Sequence, residues 1–257
     1  MNGRFFFAAL FALSSWGQGA ADQPLQARLS TASGSYSLRG GGLLRGLVQV
    51  AGDFHLPMGI EWIKPIGARD PIMLSWQDAT ASTVLHDLVS AYSTGLPGWE
   101  RAGYEVEVGN GVVHVFPKAL RGNKADVLNA RIGTFEVKDQ PVKVAAYSSL
   151  AERVAEIMEP GLRHGWWRSL LFGGDEGFVT FRIDNATVRD ALDKLCLSDI
   201  LNVWVVAYPA DPVSTRGGFF KTIPPFGSAQ PRDDSDGHFI PRWEFLRWGI
   251  WPGTYRD

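Results

Sequence analysis

Apolar and polar residues along this chain switch repeatedly between a period of two and a period near 3.6, predicting short strands alternating with amphipathic helices. Residues 36–38 fit a first strand, and Gly40-Gly41-Gly42 breaks the chain before a helix with apolar positions at Leu43, Leu44, Leu47, Val48 and Ala51. Residues 58–63 and 72–76 read as strands. A helix from Thr80 to about Tyr92 follows, with the Thr80 hydroxyl placed to cap its first turn. Residues 104–108 and 112–116 alternate on either side of Asn110-Gly111, a strong hairpin signal. Farther on, residues 134–137 predict a strand. A helix is expected from Pro141, its stripe made by Val144, Tyr147, Leu150, Ala151, Val154, Ile157 and Met158. Residues 164–171 take the place of a second strand, and residues 203–206 predict a closing strand with no hairpin partner, hence an open edge.

One unit of this pattern occurs twice. Ile72-Met73-Leu74-Ser75-Trp76-Gln77-Asp78-Ala79-Thr80, followed by a helix through Val84, Leu85 and Leu88, returns as Val179-Thr180-Phe181-Arg182-Ile183-Asp184-Asn185-Ala186-Thr187, followed by a helix through Ala191, Leu192 and Leu195. The separation is constant (187 − 80 = 107). Thr187 and Asp190 have the spacing of a capping box. The expected fold is α+β, with two small β-α-β-β-α-β modules in tandem at residues 35–117 and 128–208. A polar connector joins them, after a polar leader at residues 22–34. An irregular tail rich in Pro, Gly and Trp occupies residues 209–257 and is expected to dock on a module or a partner.

Composition narrows the function. The chain has 257 residues, 45% hydrophobic and 20% charged, as a folded protein requires. A net charge of −2 gives no field for a polyanion, so nucleic acid is not an expected partner. Arg4, the apolar run at residues 5–13 and the small residues Gly17, Gly19, Ala20 and Ala21 read as a signal peptide over residues 1–21. The protein is therefore expected to be periplasmic or secreted, with no transmembrane anchor after cleavage. Its single cysteine, Cys196, cannot form an internal disulfide and falls on the apolar side of its helix.

The pattern of a strand, Asp/Asn-Ala-Thr and a helix carrying Leu-x-x-Leu, preceded by a short strand and an amphipathic helix, resembles the secretin and TonB short N-terminal domain family over residues 35–208. That resemblance implies a non-enzymatic role in the cell envelope. The chain would contact another envelope protein, such as a secretion or TonB-system component, with no cofactor. It departs from larger members of the family in that no barrel or secretin core follows residue 208.

No catalytic or metal-binding set stands out. None of His55, His86, His114, His164 and His238 forms an i, i+4 pair, and no Gly-x-Ser-x-Gly elbow occurs. His86 is expected on an exposed helix face and His114 on the outward side of its hairpin. Glu105 and Glu107 are expected on the wet face of their strand. Gly40-Gly41-Gly42 lacks the Gly-Lys-Ser/Thr ending of a phosphate loop and reads as a joint. Aromatic residues are the better candidates for contact. Trp99, Trp166, Trp167, Trp243, Trp248 and Trp251 form the candidate interaction surface. Two alternatives stay open: carbohydrate or peptidoglycan binding through loop tryptophans, and an unrecognised hydrolase.

Overall fold

The computed structural model describes residues 24–38, 41–63, 73–93, 103–120, 126–142, 145, 149–158, 177–198, 202–208 and 243–246. The expected signal peptide, the expected strand at 164–171 and Trp99, Trp166, Trp167, Trp248 and Trp251 lie outside these residues. In chain order the elements are α1 (Leu25–Ser30), β1 (Ala32–Ser37), α2 (Leu43–Asp53), β2 (Met58–Ile63), β3 (Ser75–Thr80), α3 (Ala81–Ser93), β4 (Tyr104–Gly109) and β5 (Val112–Pro117). Then come β6 (Arg131–Pro141), α4 (Leu150–Met158), β7 (Phe178–Thr187), α5 (Val188–Cys196), β8 (Val203–Tyr208) and β9 (Trp243–Leu246). The architecture is mixed α and β, in keeping with the α+β expectation. Among the described residues, no helix is long and apolar enough to cross a membrane.

The repeated unit has repeated geometry. Asp78 in β3 and Asn185 in β7 both have positive φ, 52° and 55°, a conformation that Asp and Asn tolerate better than most residues. Each is followed two residues later by a threonine that caps a helix. The Thr83 N–H donates to Thr80 Oγ1 at 3.2 Å at the start of α3. Thr187 and Asp190 form a complete capping box at the start of α5. The strands before these helices pair antiparallel with β1 and β6 respectively, giving two separate two-stranded sheets.

The remaining strands form one five-stranded sheet in the order β4-β5-β2-β8-β9. Asn110 and Gly111, with φ of 54° and 80°, make the two-residue turn of the expected β4–β5 hairpin. β2 runs parallel to β5 on one side and to β8 on the other. A parallel strand in this position is covered on both faces, and β2 is buried along its full length. Met58, Ile60, Trp62, Val113, Val115, Val203 and Val205 pack on one face against α1, α2 and α3. Ile63, Val112, Trp204 and Val206 pack on the other against β6, β7, α4 and α5. Strand alternation therefore distributes each strand between two cores.

Several local expectations change. Residues 25–30, read as a polar leader, form α1; Leu29 is buried and Arg28 donates from Nη1 to the His55 carbonyl. Leu25 and Leu29, four apart, supply the apolar side that the polar composition concealed. Pro141 ends β6 opposite Phe178 instead of opening a helix, which begins at Leu150. A strand end tolerates proline as readily as a first helical turn. The expected open edge of β8 is occupied, because β9 from the tail pairs with it antiparallel, Val206 opposite Trp243 and Val203 opposite Leu246.

Gly59 sets the closeness of this packing. A Cβ there would lie 2.2 Å from Cζ2 of the fully buried Trp204. Gly59→Ala is expected to cost about 2–4 kcal/mol by forcing the indole to shift within a closed core. Urea unfolding of the variant against the parent checks this, and the much milder Gly34→Ala, where a Cβ meets nothing within 4 Å, serves as control.

Candidate functional site

The face of the central sheet turned toward α5 carries two polar residues in otherwise apolar strands, Glu61 in β2 and His114 in β5. Both are buried, at 2% and 7% exposure. Alternation puts Gly59, Glu61 and Ile63 on this face, beside Val112, His114 and Phe116. Such groups are tolerable only with partners, and α5 supplies them.

Arg189, one residue into α5, donates from Nη2 to Glu61 Oε1 at 2.6 Å and from Nη1 to Asn129 Oδ1 at 2.5 Å. Asp126 Oδ2 lies 3.9 Å from the same guanidinium, while the Asp126 side chain caps the short turn at Val127–Asn129 by accepting from the Leu128 N–H. One side chain thus ties α5 to β2 and to the connector between the halves. One turn on, Asp193 is 1% exposed and accepts from Trp204 Nε1 at 3.0 Å and from Asn110 Nδ2 at 3.4 Å. Its Oδ2 lies 3.4 Å from His114 Nε2, and the His114 and Trp204 rings lie 5.9 Å apart. Asn110 also donates to Asp190 Oδ1 at 3.1 Å, so the hairpin tip is anchored to the capping residue of α5.

A cleft of about 330 Å³ opens beside this cluster, between the β4–β5 hairpin and α5, with Glu61, Glu107, His114 and Arg189 as its ionisable lining and Phe116 and Leu120 as its apolar wall. Among the described residues, no group of three or more His, Cys, Asp or Glu side chains could hold a metal ion. Cys196 sits one turn after Asp193, fully buried, with its thiol directed at the Asn202 carbonyl at 2.9 Å. Burial, and secondarily the Asp193 charge, push the thiol well above the ordinary thiol range. It is an inert part of the core, as its helical position suggested.

The sequence-derived surface is not brought together among the described residues. Trp243 lies on β9 opposite Val206, and its five companions lie outside the description. His114, expected to point outward, is buried, because the central sheet is covered on the face where it stands. Glu107 is exposed at the rim of the cleft, and Glu105 is half-buried. His86 is exposed, its Nδ1 2.8 Å from the Ser82 carbonyl. The residues that form the cluster were signalled weakly: a lone glutamate in Met-Gly-Ile-Glu-Trp-Ile and a lone histidine in Val-Val-His-Val-Phe.

Comparison with protein-family models, curated proteins and solved structures gives no match for this chain.

Arg189→Met is expected to destabilise the fold by about 2–4 kcal/mol, because Glu61 and Asp126 would remain buried without their cation. Adding Glu61→Gln to it should cost less than the sum of the two single changes. Urea melts of the two single variants and the double variant check this, and strict additivity would contradict the pairing.

Proposed function

We propose that the chain is a non-catalytic, exported cell-envelope protein that acts as a protein–protein contact or assembly module. It would be built from two tandem modules similar to the secretin and TonB short N-terminal domain, and would work in the periplasm or outside the cell against another envelope protein. The reading rests on the repeat: a bulged strand, a threonine cap and a helix recur at a fixed separation, and both copies direct their apolar faces into packing. Among the described residues lining the cleft, none carries a hydroxyl or thiol, which favours contact over acyl transfer.

The observation that carries the mode of contact is the place of β4 at the edge of the central sheet. In a hairpin closed by a two-residue turn, Gly109 and Val112 form the hydrogen-bonded pair. The main-chain groups of Glu107 and Glu105 then face β5, and those of Val108 and Val106 face away from it. An outward row of this kind accepts a strand from a partner. Val108 is also 48% exposed, a large apolar residue on that strand.

A photo-crosslinking residue at position 108 is expected to trap a discrete envelope protein in living cells. Val108→Pro, which removes an outward N–H and leaves the β5 ladder intact, should abolish the adduct formed from an adjacent probe at Lys118 with less than about 1 kcal/mol lost in stability. Recovery of uncrosslinked monomer alone, or an adduct indifferent to Val108→Pro, would contradict strand addition at β4.

A further inference from the structure

The buried cluster leaves one polar atom unaccounted for. His114 is 93% buried by its 7% exposure, and with Nε2 turned toward the Asp193 carboxylate its Nδ1 has no hydrogen-bond partner. An unmet polar atom at such depth costs about 1–3 kcal/mol. Asp193 orients the ring to donate from Nε2, so Nδ1 presents a lone pair, and the group that satisfies it must bring a proton.

His114 also forms part of the wall of the cleft, and the remaining lining says what kind of group fits. Glu61 and Glu107 both line it, with Asp126 behind Arg189 and with Asp190 and Asp193 behind the hairpin tip. Among the described residues lining the cleft, Arg189 is the only fixed cation, and it is held by Glu61 and Asn129. The field is therefore negative and suits neither a phosphate nor a carboxylate. Phe116 and Leu120, 7% and 4% exposed, give an apolar wall beside these carboxylates. At about 330 Å³ the cleft is at the small end of ligand sites.

We infer that this cleft binds an alkylammonium group, with its N–H donors directed to the Glu107 and Glu61 carboxylates and His114, and its methylene stem along Phe116 and Leu120. A lysine side chain and a free primary amine share this chemistry. The inference concerns a different surface from the β4 edge and does not depend on strand addition there.

The test uses the full chain labelled with ¹⁵N-histidine, with His114 identified by its contact with the Trp204 ring. Nα-acetyl-lysine methylamide and n-butylamine are titrated, and Nα-acetyl-norleucine methylamide is the uncharged control. Saturable shifts of the His114 ring resonances with dissociation constants on the order of a millimolar, absent with norleucine and weakened several-fold by the rim substitution Glu107→Gln, are expected. A lysine derivative binding more than about tenfold tighter than butylamine assigns the group to a peptide, and equal binding assigns it to a free amine. No His114 response to either amine, or an equal response to norleucine, would overturn the inference.

Discussion

The structure depends on β2 lying between β5 and β8, parallel to both and buried on both faces. A strand so placed has no side that can be given to water. Each residue along it must enter one core or the other, and each main-chain group must find a neighbouring strand. Met58, Ile60 and Trp62 enter the core with α2 and α3, while Ile63 enters the core with α5. Gly59 is small because Trp204 of β8 lies over it. The two halves of the sequence thus meet through hydrogen bonds within one sheet.

The polar cluster follows from the same constraint. Glu61 and His114 fall on the covered face, so they need partners that can be buried with them. Arg189 and Asp193 provide these from α5, four residues apart on one side of the helix. Paired charges of this kind stabilise little relative to apolar packing, but losing one member is costly, so they fix the position of α5 over β2 and β5. The hairpin tip is held in the same way, through Asn110 to Asp190 and Asp193. Asp190 therefore caps its own helix and also locates a turn 80 residues earlier.

What could be read from the sequence was local. The Asn-Gly turn, the threonine caps at 80 and 187, the burial of Cys196 and the positions of α2, α3 and α5 depend on neighbours within a few residues, and periodicity reports those. The shared sheet was not legible, since nothing in the apolar run Val203-Trp204-Val205-Val206 says which strand lies beside it. The same ignorance put His114 on the outside: alternation assigns residues to two faces but does not say that both are covered. Pro141 misled because its fixed φ and absent N–H suit a helix start and a strand end alike. Arg189, Asn129 and Asp126 were silent in sequence, being polar residues in polar surroundings that acquire meaning only when α5 is placed.

In the proposed role, rigidity and an open edge are complementary. A sheet held from both faces presents β4 in a fixed orientation, which lowers the ordering cost of adding a partner strand. Joining the halves through β2 and β8 would make the contact surface respond to the whole fold and not to one module alone. The central claim is that the halves are one cooperative unit. Native-state hydrogen exchange across increasing urea tests it most directly, by following the amides of Ile60 and Trp62 in β2 and of Trp204 and Val205 in β8. The account predicts that all four exchange only through global opening and converge on a single free energy. Exchange of the β8 amides at a clearly lower free energy than those of β2, or two separate unfolding transitions, would contradict it.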